Sequence, residues 1–186
     1  MLEVADNVAA PGFYDWSTGV GSGFVIRAIR PDDESKLDAF FRGLSPVSRH
    51  RRFLAVINEL PAQVLAHFAR PDGHAEVALV ATTGAGSNAS IVGEARFVVG
   101  AEETRCAEFA LVVSDRAQGR GLGQRLLGTL IQRALANDVA CVYGDVLPDN
   151  HPMLGLARKY GFSEGRNPAD PRLLRVRKTL RPLPAG

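Results

Sequence analysis

Three glycines fall on alternate positions in Gln118-Gly119-Arg120-Gly121-Leu122-Gly123. Glycine lets the backbone approach a ligand closely, and the unpaired N–H groups at the start of a helix, at the positive end of its dipole, favour an anion. The stretch therefore reads as a phosphate cradle. Glu108, ten residues before Gln118, is the lone acid in the apolar run from Ala107 to Val113. A carboxylate among apolar neighbours loses hydration, its pKa rises, and it becomes able to take a proton.

The flanking segments would position both groups. Ala107, Phe109, Leu111 and Val113 alternate with Glu108, Ala110 and Val112, so both faces are largely apolar, as in a strand buried inside a sheet. After the turn, Leu122, Leu126, Leu127, Leu130, Ile131, Ala134 and Leu135 form one apolar stripe at helical spacing, with Gln124, Arg125, Gln132 and Arg133 on the other face. Strand, glycine turn and helix follow one another without a break.

Three phosphate motifs compete for this turn. A P-loop needs Lys-Ser or Lys-Thr after its last glycine, and neither is present. A dinucleotide fingerprint needs G-x-G-x-x-G near the start of its unit and an acidic strand end further on; the spacing here is G-x-G-x-G, past the middle of the chain. Gln-x-x-Gly-x-Gly between a strand and a helix does fit. It resembles the coenzyme A pyrophosphate loop of the GCN5-related N-acetyltransferases, with Gln118, Gly121 and Gly123 on the motif positions and Gly119, Arg120 and Leu122 completing the loop. Asn150, Leu156, Gly161 and Phe162 in NHPMLGLARKYGF match the family's fourth-helix segment. More closely, VIRAIRPDD, LSPVSRHRRF and AEFALVVSDRAQGRGLG resemble the acetyltransferase domain of bacterial protein-lysine acetyltransferases.

The resemblance implies an α/β fold with a mixed, centrally splayed sheet flanked by helices, spanning residues 24–180, between an arm at 1–23 and a tail at 181–186. It implies acetyl-CoA as co-substrate, no metal, and acetyl transfer to an amine, with a protein lysine as first reading. A small amine acceptor, or a catalytically silent coenzyme A sensor, are the alternatives. Glu108 is the expected general base, since a lysine amine with a pKa near 10.4 must lose a proton before attack. Glu94 and Glu76 are the runners-up, His74 reads as a loop residue, and Arg96 or Arg105 would be the partner if Glu108 were only structural. Backbone groups of Leu111, Val112 and Val113 would pair with the pantetheine arm, one N–H polarising the thioester carbonyl, commonly worth roughly 3 to 4 kcal/mol. Asn150 would contact the same arm. Ala157 occupies the position where many relatives carry a tyrosine that protonates the departing thiolate; Tyr160, one turn on, reads as packing first and acid second.

Composition bounds the rest. At 186 residues, 46% hydrophobic and 23% charged, the chain suits one domain, and its net charge of +2 gives no overall field for nucleic acid or a membrane surface. No apolar run approaches a membrane span and no basic-apolar leader opens the chain, which predicts the cytoplasm. Cys106 and Cys141 open two strands expected to be parallel neighbours, and in that compartment they read as buried thiols rather than a disulfide.

Elsewhere, Phe24–Arg30 predicts a first strand, Pro31–Leu44 a helix, Val47–Phe53 and the segment after Pro61 two more. Ala75–Thr82 and Ile91–Val99 predict a hairpin, Ala140–Leu147 and residues 171–180 further strands, and Met153–Tyr160 a helix stopped by Gly161. Phe13, Tyr14 and Trp16 in the arm would dock on their own domain or on a second copy, as a homodimer. The basic cluster Ser48–Phe53 reads either as a solvated helix face or as a wall for an acidic substrate or a phosphate.

Overall fold

The computed structural model describes residues 17–20, 23–84, 88–100 and 105–181. Among these, eight strands form one sheet: β1 (Ser17–Val20), β2 (Phe24–Ala28), β3 (Glu76–Thr83), β4 (Ser90–Val99), β5 (Cys106–Val113), β6 (Cys141–Val146), β7 (Ser163–Arg166) and β8 (Leu174–Thr179). Their spatial order is β1-β2-β3-β4-β5-β6-β8-β7. Five α-helices accompany them: α1 (Glu34–Arg42), α2 (Pro46–Phe53), α3 (Ala62–Phe68), α4 (Leu122–Ala136) and α5 (His151–Lys159).

The predicted strands and helices all appear, with ends shifted by a few residues. Two strands were not predicted. Ser17–Val20 lies inside the expected arm and pairs with β2 from Ser17↔Arg27 to Val20↔Phe24. Ser163–Arg166 pairs with β8. Neither carries apolar alternation, because both are edge strands held through backbone pairing to one neighbour. The aromatic arm residues Phe13, Tyr14 and Trp16, the acids Glu102 and Glu103, and residues 182–186 lie outside the described residues.

Every neighbouring pair is antiparallel except β5 and β6. Their parallel ladder runs from Cys106↔Cys141 through Ala107↔Val142 to Glu108↔Tyr143 and stops, although β5 continues to Val113 and β6 to Val146. The sheet splits there. Gly144 marks the fork: a Cβ on it would lie 2.9 Å from the Phe109 ring and 3.0 Å from the Phe109 carbonyl oxygen, so only glycine admits Phe109 at that point.

Alternation along β5 divides the core between the two faces. Ala107, Phe109 and Val113 pack with Leu122, Leu126, Leu127 and Leu130 of α4 and Leu154 of α5. Val112 packs on the other face with Leu37, Phe40 and Phe41 of α1 and Leu65 of α3. Each buried leucine or phenylalanine is worth roughly 1.5 to 3 kcal/mol. The stripe read from the sequence is thus the face that presses α4 onto the sheet and aims its first turn at the fork.

One expectation is overturned. Cys106 and Cys141 form a disulfide, with a Cα–Cα distance of 4.6 Å. Their pairing in the β5–β6 ladder brings the two side chains together on one face, a proximity that the strand reading anticipated and the compartment argument set aside.

Candidate functional site

The loop between β5 and α4 is held open by its own backbone. Gly119 and Gly121 adopt φ of +72° and +77°, and a Cβ on either would meet nothing within 4 Å. Gly121 is the residue before α4, where it offers no capping side chain, and no acid stands in the first turn. The leading amides of α4 are therefore left to an external anion. Arg120 points elsewhere: its guanidinium lies 4.6 Å over the Phe24 ring.

Side chains from α2 clamp this loop. Asp115 accepts from the Ser45 amide (3.0 Å), Ser45 Oγ (2.7 Å) and Ser48 Oγ (2.8 Å). Burial would raise the Asp115 pKa, but these hydrogen bonds outweigh it and hold the carboxyl below the usual range. Gln118 Nε2 donates to the Val113 carbonyl (3.0 Å) and to Ser48 Oγ (3.3 Å). So the glutamine of the motif ties the loop to the end of β5 and to α2.

The fork opens into two joined chambers. The larger, about 430 Å³, is lined by Leu111, Val112 and Val113, by Gln118, Gly119 and Gly121 to Gly123, and by Asn150. All the expected coenzyme residues except Arg120 therefore meet in one cavity. The smaller, about 220 Å³, is lined by Glu108, Phe109, Gly144 and Asp145, with Phe53 and Leu54 on the α2 side. Arg51, Arg52, Leu111, Asn150 and Met153 border both.

Glu108 occupies the last paired position before the strands part, and its side chain is exposed to the smaller chamber. The surrounding protein still strips part of its hydration, which raises its pKa above the usual carboxylate value. Asp145 raises it further, while Arg175 and Arg52 pull it back. Asp145 is itself held by Arg175 through two bonds, 2.8 and 2.9 Å. Neither Arg96 nor Arg105 pairs with Glu108 among the described contacts.

The runner-up acids are committed elsewhere. Glu94 is fully buried and bonded to Arg52 (3.1 and 3.2 Å) and Arg96 (2.6 Å). Burial raises its pKa, but the two guanidiniums outweigh that and keep it low. Glu76 accepts from Arg96 (2.8 Å) and lies 3.2 Å from His67. His74 is exposed in a loop, its amide donating to Asp72.

Asn150 caps α5, its Oδ1 accepting from the Met153 amide at 3.4 Å, and it borders both chambers. Ala157 is buried in the core. Tyr160 donates its hydroxyl to the Gln124 carbonyl at 2.6 Å, and burial raises its pKa, so this phenol pins α5 to α4.

The basic cluster is not a solvated face: its arginines are tied to the fold, and Arg51 and Arg52 at the same time wall both chambers. Arg49 bonds backbone carbonyls at Leu44, Ile57 and Asn58; Arg51 donates to the Asp149 carbonyl; Arg52 is buried on Glu94. The sequence reading offered Arg51 and Arg52 as a wall but missed Met153 as a cleft border and Asp145 beside Glu108. Asp145 was findable: its alternation with Tyr143 and Cys141 puts it on the face of Glu108. Among the described residues no group of three or more His, Cys, Asp or Glu could hold a metal ion. No described helix is long and apolar enough to cross a membrane.

Comparison with known proteins gives a consistent picture. The family model for the acetyltransferase (GNAT) family matches residues 47–162. An acetyltransferase of Pseudomonas aeruginosa is 32% identical over 81% of this chain and 80% of its own length. Acetyltransferase Pat of Mycolicibacterium smegmatis is 29% identical over 76% of this chain, which spans only 41% of that protein. The GNAT domain of S. lividans PAT superimposes with a TM-score of 0.81 at 27% identity, covering 89% of this chain and 97% of that domain. An acetyltransferase from Salmonella typhimurium, solved with its cofactor acetyl-CoA, shares the fold with a TM-score of 0.69 at 18% identity, over 88% and 98% of the two chains.

Proposed function

This chain belongs to the acetyltransferase (GNAT) family as an acetyl-CoA-dependent N-acetyltransferase, and from that premise we propose that its acceptor is a protein lysine and its general base Glu108. The place of Glu108 carries this reading. It stands where β5 and β6 part, exposed to a chamber that joins the coenzyme cavity, with its pKa raised by lost hydration.

In this mechanism the glycine loop and the leading amides of α4 hold the pyrophosphate, and the edge of β5 that β6 leaves at Leu111 to Val113, its Val113 carbonyl taken by Gln118, lies along the pantetheine arm. Glu108 takes a proton from the lysine ammonium, directly or through one water. The freed amine attacks the thioester carbonyl; the C–N bond forms, the C–S bond breaks, the electron pair leaves with sulfur, and the nitrogen gives its second proton to solvent to become the amide. An N–H of the β5 edge would polarise the carbonyl. Among the described residues no tyrosine lines either chamber, so solvent protonates the thiolate, whose analogue has a pKa near 8.5.

The resemblance of three segments to protein-lysine acetyltransferases and the likeness to the S. lividans PAT domain support a protein acceptor. A small amine is the second reading, favoured by the modest 220 Å³ of the acceptor chamber. The reading also puts the enzyme in the cytoplasm, where the Cys106–Cys141 bond would face a reducing thiol pool. Free-thiol release from acetyl-CoA against lysine-bearing proteins and peptides, polyamines and aminoglycosides tests the choice. Release with lysine acceptors supports the proposal, and release only with small amines replaces it by the second reading.

A further inference from the structure

Among the described residues, no helix covers one face of the sheet beyond the fork. Registered neighbours share a side of a sheet, so Glu108 of β5, Tyr143 of β6, Arg177 of β8 and Ser163 of β7 stand in one row, and Asp145, Arg175 and Gly165 in the next. The opposite side, with Val142, Val146 and Val176, is packed in the core with α4 and α5. The row side is polar, and at its outer edge β7 contributes only Ser163 and Gly165; a Cβ on Gly165 would meet nothing within 4 Å. The bare face is continuous with the chamber that holds Glu108.

Two arginines lie on this floor in different states. Arg175 is neutralised by Asp145 through two short bonds and stacks 4.5 Å from the Tyr143 ring. Arg177 is exposed, and its guanidinium has no carboxylate partner among the described residues; it reaches only the Cys106 sulfur, at 3.5 Å. A disulfide sulfur is a weak acceptor, so the five donors of the guanidinium are left mostly to solvent.

We propose that Arg177 is a specificity residue that reads a carboxylate two or three positions from the acceptor lysine on an extended segment of the substrate protein. The inference rests on the protein-lysine reading above. Strands lie about 4.8 Å apart, so Glu108 and Arg177, two strands apart in one row, are separated by roughly 10 Å at their Cα atoms; an extended peptide spans that in about three residues at 3.3 Å each. The guanidinium leans along the sheet toward Cys106, two residues before Glu108 on β5, which fits the shorter spacing of two. A carboxylate is the chemical match because the guanidinium fork binds it through two parallel bonds.

The test uses the full chain and a pair of lysine peptides that differ only in carrying Glu or Lys two or three residues from the acceptor, on either side. The wild type is expected to favour the Glu peptide by three- to fivefold in kcat/KM, the size of an exposed ion pair, with the ratio shrinking at high salt. Arg177→Glu should invert the preference and Arg177→Gln should abolish it, each with a thermal midpoint close to that of the wild type. If both peptides are acetylated equally by the wild type, or the preference survives in Arg177→Glu, the inference fails and the lysine reading stands. If no lysine peptide or protein is acetylated, the lysine reading fails and takes the inference with it. If Arg177→Glu alters only the oligomeric state, the face is a contact between copies and the inference is wrong.

Discussion

At Glu108 the charges of its neighbours compete. Lost hydration and Asp145 push its pKa up, and Arg175 and Arg52 push it down. As the proposed base, Glu108 must be unprotonated, so kcat/KM is expected to rise with pH through its elevated pKa. Asp145→Asn removes the repelling charge and frees Arg175, so the acid limb should move to lower pH. Arg175→Ala bares Asp145 and removes a cation, so the limb should move to higher pH. A pH–rate series on the two variants reads opposite displacements if Glu108 is the base. This residue was visible in the sequence as the lone acid of an apolar strand, but of its environment only the facing of Asp145 was within reach, and that only once the strands are paired. Asp145 and Arg175 are far from it in the chain and meet it only through strand pairing.

Among the elements, the loop–helix junction and the seat of α2 matter most. Gly121 is in the left-handed region, where a side chain costs about 1 to 2 kcal/mol, so Gly121→Ala should raise the KM for acetyl-CoA several-fold and lower the melting temperature. A titration of initial rate against acetyl-CoA checks it. Arg52 fixes α2 to β4 through the fully buried Glu94, which Arg96 also holds. Replacing Glu94 by Gln leaves the buried Arg52 guanidinium without its carboxylate, while Arg96 keeps Glu76, and such a loss costs roughly 3 to 5 kcal/mol. Denaturant unfolding should show that loss at neutral pH. Because burial and the arginines together leave the Glu94 pKa lowered, the stabilisation is present above the ordinary carboxylate pKa and fades as pH falls through the depressed value. Strong periodicity made β5 and α4 legible with their ends nearly right. The role of the Ser48–Phe53 arginines was not legible, since their partners are carbonyls and carboxylates brought in by folding. The edge strands β1 and β7 escaped for a different reason: a strand held on one side by backbone pairing leaves little pattern in its side chains.

Taken as a whole, the molecule is a sheet that is closed at one end of a parallel pair and forked at the other. The Cys106–Cys141 bond lies at the closed end, one ladder step from the Ala107↔Val142 pair and two from Glu108. It joins positions 35 residues apart, and a loop of that length is worth roughly 3 to 4 kcal/mol in chain entropy. Calorimetry with and without reductant should show a lower melting temperature for the dithiol form, and the double variant Cys106→Ser, Cys141→Ser should melt at one temperature in both conditions. The measurement that bears most directly on the account is thiol release from acetyl-CoA with a lysine acceptor, comparing the wild type with Glu108→Gln across pH. The account predicts a fall in kcat of about 100-fold or more, with unchanged thermal stabilisation by acetyl-CoA and the acid limb of the profile abolished. Transfer by Glu108→Gln at the wild-type rate with the same pH profile would contradict it.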